Sequence, residues 1–127
     1  MEPVRIPIAM SAVARPLLLL TLAPASTCWV EVRDDELEVR MAWQFKAVIP
    51  RRSIVEAVAD TDRITGWGVH GGGGAWLVSG SSKGLVRIRC TPPARARAIV
   101  APVQLELLRV SVAEPDRLLA LLQRAAG

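Results

Sequence analysis

His70 is the only histidine in the chain, and it stands directly before four consecutive glycines, Gly71 to Gly74. An imidazole can act as a general base or a metal ligand, and a glycine loop would leave it accessible. A metal site needs further ligands, and the neighbouring positions supply none; Cys28 and Cys90 are distant in sequence. A lone loop histidine is more often a hydrogen-bonding surface residue, so no catalytic role and no metal are expected. Gly66-Trp67-Gly68-Val69-His70-Gly71 also spells G-x-G-x-x-G. A dinucleotide site would need a helix after it and an acid about 20 residues on. Here more glycines follow, and the next carboxylate is Glu106. The match is read as chance, and no cofactor is expected. Asp60 and Asp62 flank Thr61, a spacing that a turn explains as well as a cation does.

The basic residues carry the sharper signal. The 127-residue chain has a net charge of +4, yet residues 63–105 hold five arginines and Lys83 with no carboxylate. The rest of the chain is therefore net negative, and the segment Glu31 to Glu38 is strongly acidic. Lys83, Arg87, Arg89, Arg95 and Arg97 are the candidates for one positive face toward an anionic partner. The reading that ranks ahead of it is solvated or internally paired charge, with the acidic hairpin packed beside the arginines. Trp67, set between two glycines, is the aromatic expected to stay exposed as an anchor. Trp29, Trp43 and Trp76 lie in apolar stretches and are expected in the core or on a sheet face.

A chain of this length with 51% hydrophobic residues is expected to close one core, and this excludes a disordered tail. Two cysteines do not make a disulfide framework; Cys28 and Cys90 read as buried, reduced thiols. At the N-terminus, Leu17 to Ala23 is a short apolar run, and Ala23-Pro24-Ala25 has the form of a signal-peptidase site. The run is at the lower limit for export, which stays a minority reading. Residues 1–16 are expected to be a flexible leader and residues 17–126 a single domain, its first strand over Leu17–Leu22.

Period-two patterns dominate the chain from Trp29 onward. Val30 and Val32 lead into a turn at Asp34-Asp35-Glu36, and Leu37, Val39, Met41, Trp43 and Phe45 then alternate with polar or small residues. Ile54–Ala59, Ile64–Val69, Trp76–Val78, Leu85–Cys90 and Val103–Val112 read as further strands. Gly71–Gly74 reads as a loop, and so does Thr91–Pro102, with its three prolines. The last segment is helical. Pro115 suits the first helical position, and Leu118, Leu121, Leu122 and Ala125 share one face.

The phrases Trp29-Val30-Glu31-Val32, Ile49-Pro50-Arg51-Arg52-Ser53-Ile54, Gly66-Trp67-Gly68-Val69-His70-Gly71, Trp76-Leu77-Val78-Ser79-Gly80, Gly84-Leu85-Val86-Arg87-Ile88 and Arg109-Val110-Ser111-Val112-Ala113-Glu114-Pro115-Asp116 resemble a bacterial family of pleckstrin-homology-like (PH-like) proteins without an assigned activity. The resemblance implies a mainly β fold, an antiparallel barrel or two packed sheets of about seven strands with one C-terminal capping helix. Phosphoinositide-binding members of the wider fold use basic residues around the loop joining their first two strands. The matching connection here, Arg33-Asp34-Asp35-Glu36, is net negative and would repel such a headgroup. No lipid-site residue is carried over.

The expected function is that of a non-enzymatic PH-like interaction module that binds a protein partner or a second copy. The alternative is peripheral binding to an anionic membrane, or more weakly to nucleic acid, through the basic 83–97 segment. A small-molecule or enzymatic role for His70 ranks last. The candidate interaction surface is Trp67, His70, Lys83, Arg87, Arg89, Arg95 and Arg97. The expected location is the cytoplasm, including the inner membrane face.

Overall fold

Alternation of apolar and polar residues builds the first part of the sheet. The computed structural model describes residues 2–12, 14, 16, 20, 25–61 and 68–126, the last three as backbone alone. Strands β2 (Cys28–Val32), β3 (Glu36–Met41) and β4 (Phe45–Pro50) pair antiparallel in sequence. Val30, Val32, Leu37, Val39, Met41, Phe45, Ala47 and Ile49 all point inward and are fully buried. Their neighbours Trp29, Glu31, Glu38, Arg40, Lys46 and Val48 form the outer face.

The expected continuous strand from Leu37 to Phe45 is in fact a tight hairpin. Met41 pairs with Phe45, and Ala42, Trp43 and Gln44 make the turn, with Ala42 at φ 49°. Both Met41 and Phe45 still face the core, which is why the alternation hides the reversal. Trp43 is thrown out at the tip and is 53% exposed, so it is neither a core nor a sheet-face residue. Trp29 does lie on the sheet face.

The expected flexible leader is instead structured over β1 (Val4–Pro7), which pairs antiparallel with β2. Ile6 and Ile8 supply the reason, since both enter the core completely. Beyond β1 the chain makes two single bridges, Ile8 to Val112 and Met10 to Gly80. Most of the expected strand over Leu17–Leu22 lies outside the described residues.

The largest departure concerns Thr91–Pro102. No loop forms there; β8 (Leu85–Ala98) and β9 (Ala101–Ser111) make one long hairpin closed by the two-residue turn Ile99-Val100. Ala94, Ala96 and Ala98 turn inward and Arg95 and Arg97 outward. Pro92 and Pro93 fall where the register shifts between Arg89 and Ala94, so their missing N–H groups break no regular ladder. On its outer edge β8 pairs with β4 through Arg95–Ala98 and with β5 (Ile54–Ala59) through Val86–Cys90.

Strand β7 (Ala75–Ser79) adds to β9 in parallel, and β6 (Gly68–Gly72) adds antiparallel to β7. Gly71 and Gly72, expected in a loop, belong to β6; only Gly73 and Gly74 turn, at φ 61° and 87°. Positive φ at both positions is what a two-residue hairpin turn requires. The sheet order is β1-β2-β3-β4-β8-β9-β7-β6, with β5 attached to β8. The fold is mainly β, as expected, with nine described strands rather than about seven and with one parallel pair.

Helix α1 (Pro115–Ala126) is the C-terminal helix that the leucine spacing implies. Leu118 and Leu122 are buried, and the helix lies against β5 and β2. Arg51 fastens it, donating from its guanidinium to the carbonyls of Arg33 and Leu121.

Candidate functional site

Strand register gathers cations that are scattered in sequence. On the outer face Arg40 stands directly opposite Lys46, and Lys46 directly opposite Arg97. Neighbouring strands lie about 4.8 Å apart, so three positive charges occupy roughly 10 Å of one row. Arg95 projects one step further along β8, beside Val48. Like charges directly across a sheet destabilise it, so this row needs compensation.

Little compensation is present. Among the described residues no carboxylate pairs with Lys46, Arg95 or Arg97. Arg40 has partial relief: its Nε is 4.0 Å from Glu38, and its guanidinium lies 5.5 Å from the ring centre of Trp29. That Nε is buried without a hydrogen-bond partner.

The row runs along an open groove of about 910 Å³ that ends at two hairpin tips. Trp43 lines it from the β3–β4 turn, and Ile99 and Val100 line it from the β8–β9 turn. The tips are joined, because the Ile99 N–H donates to the Gln44 carbonyl at 2.6 Å. Ile99 holds φ 59°, a left-handed backbone that a β-branched residue adopts at a cost. Ile99 is 53% exposed and Val100 83%.

The acidic hairpin has its own partners and does not neutralise this row. Glu31 and Glu38 face each other across β2 and β3. Arg33 bridges them at 2.7 and 3.0 Å and also holds Glu36 at 2.7 Å. Arg5 donates to Glu31 at 2.8 Å while lying 4.0 Å over the Trp29 ring. The hydrogen bond from Arg5, helped by Arg33, holds the Glu31 carboxyl below its ordinary range despite partial burial.

The candidate surface read from the sequence is thus divided. Arg95 and Arg97 stand against β4 and join Arg40 and Lys46. Arg87 and Arg89 stand against β5, where Glu56 approaches them at 3.4 and 3.7 Å. Arg109 pairs with Asp60 at 2.7 Å in the same region. Lys83 lies in the turn between β7 and β8, its N–H donating to Ser81 Oγ. His70 is exposed on β6 opposite Leu77 and borders neither the groove nor the second cleft, between β5 and α1. Trp67 lies outside the described residues.

Arg40, Lys46, Trp43, Ile99 and Val100 were not legible as site residues. The available signal was the Ala-Arg alternation of 94–98, which marks a strand with outward arginines once alanine is allowed as the inward residue.

Cys28 and Cys90 are buried thiols, not joined in a disulfide. Burial raises both thiols, Cys90 to about 11, which disfavours the thiolate form. Among the described residues no group of three or more His, Cys, Asp or Glu is placed to hold a metal ion. Among the same residues no helix is long and apolar enough to cross a membrane. No family model matches the chain, nor does any curated protein or solved structure.

Proposed function

We propose that this chain is a non-catalytic, PH-like interaction module that recognises an anionic partner through Arg40, Lys46, Arg97 and Arg95. The observation that carries the reading is the cross-strand register of three cations with so little carboxylate beside them. Such a row costs folding energy and recovers it when anions settle over it. The PH-like part rests on the resemblance in sequence. It is supported by the mainly β chain, the long β8–β9 hairpin serving both ends of the sheet, the C-terminal helix, and the single bridge from Ile8 to Val112.

An anionic partner is favoured over self-association at this face. A two-fold contact would bring one cation row against another, which like-charge repulsion opposes.

Retention on immobilised heparin, a sulfated polyanion, tests the reading. Lys46→Gln with Arg97→Gln removes two charges from the row; Arg87→Gln with Arg89→Gln removes two that already approach Glu56. The first pair is expected to elute at clearly lower salt than the second. Equal elution of the two variants, whose net charge is the same, would overturn the proposal.

A further inference from the structure

We infer that the anionic partner is a lipid bilayer, with the β3–β4 and β8–β9 hairpin tips entering its interface while the cation row meets its phosphates. This rests on the anionic-partner reading and adds the apolar end of the same groove. Trp43, Ile99 and Val100 are all substantially exposed, and all line the groove with Arg40, Lys46, Arg95 and Arg97. Two-residue hairpin turns favour asparagine, aspartate and glycine, which are at ease in the left-handed backbone and in water. Ile99 and Val100 oppose both preferences. Such residues suit a tip that meets an apolar phase.

The spacing fits a bilayer. Ile99 lies two residue steps beyond Arg97, about 7 Å of strand at roughly 3.3 Å per residue. The apolar part of an interfacial segment sits about 5–10 Å into the headgroup boundary, so cations at the phosphates place the tip there. Trp43 has the amphipathic ring that favours this depth. The Ile99–Gln44 hydrogen bond holds the two tips together as one wedge. A nucleic acid would supply phosphates, and Trp43 could stack on a base. It offers Ile99 and Val100 no apolar phase.

The experiment uses the full chain with vesicles of phosphatidylcholine alone and of phosphatidylcholine mixed with phosphatidylglycerol. Co-sedimentation is expected with the mixed vesicles only, weakened about fivefold by Arg97→Gln and strongly reduced by raised salt. Ile99→Asn with Val100→Ser removes the apolar tip while keeping a residue that tolerates the turn, and circular dichroism checks its fold. This variant is expected to lose most vesicle binding yet keep its heparin retention. Brominated lipid is expected to quench the wild-type emission and to quench Trp43→Phe far less.

Full vesicle binding by the tip variant would overturn insertion and leave the cation row as a purely electrostatic site. Heparin or oligonucleotide binding without vesicle binding would overturn the lipid assignment alone. A concentration-dependent dimer that the tip variant loses, with no vesicle binding by either protein, would assign the wedge to a second copy. Absence of binding to heparin and vesicles at low salt would remove the inference and the anionic-partner reading together.

Discussion

Lys46 on β4 stands directly across from Arg97 on β8, and Glu38, opposite Val48 on the neighbouring strand, is already held by Arg33. The two cations repel across one inter-strand spacing. Lys46→Gln or Arg97→Gln is therefore expected to stabilise the isolated protein at low salt, by about 0.5 kcal/mol. At 1 M salt the Debye length shrinks to about 3 Å and the gain should vanish. Urea midpoints at the two salt concentrations check this; a destabilised variant at low salt would contradict the repulsion.

Ile99 pays for its left-handed backbone. Ile99→Gly frees the turn while removing a side chain that is already half exposed. A residue held in this region costs on the order of 1–3 kcal/mol, part of which glycine returns to its unfolded entropy. The expected result is a higher melting temperature, by a few degrees. A lower one would mean that the Ile99 side chain contributes packing that outweighs the strain.

Glu31 makes stability depend on pH. Its pKa is lowered in the fold, first by the Arg5 hydrogen bond, so the associated stability is present above the unfolded value of 4.5. That stability is lost as the pH falls through the folded value, which lies lower. Glu31→Gln should thus be the less stable protein at pH 7, and the difference should narrow below pH 4.5. Denaturation midpoints measured from neutral to acidic pH would show parallel curves if the Arg5 and Arg33 contacts contributed nothing.

Cys90 is expected to resist alkylation in the native protein. A thiol at about 11 offers roughly two orders of magnitude less thiolate near pH 8 than an ordinary one. Burial slows the reagent further. Rapid modification of Cys90 without denaturant, followed by peptide mapping, would show that β8 opens readily at this end.

Much of the fold was legible where alternation used large residues. Val30, Val32, Leu37 and Val39 mark β2 and β3, and Leu118 and Leu122 mark the buried face of α1. The reversal at Ala42–Gln44 was hidden because Met41 and Phe45 are apolar on both sides of it. Strand β8 was hidden beyond Cys90 by two prolines and by alanines serving as core residues. Strand β1 was hidden by its length, since Val4–Pro7 gains its stability from long-range pairing with β2. The site was legible in part: the charge pattern singled out Arg95 and Arg97. Arg40 and Lys46 join them only through register, a long-range property that no local pattern carries.

The row of Arg40, Lys46 and Arg97 also makes the protein an indicator of its own ligand. Any anion that binds the folded row and ignores the unfolded chain raises the folding free energy by mass action. Because the empty row is self-repelling, relief of that repulsion is included in the measured affinity. Melting temperature and occupancy become two readings of a single equilibrium, so a panel of soluble anions can be ranked by thermal shift with no label and no prior choice of partner.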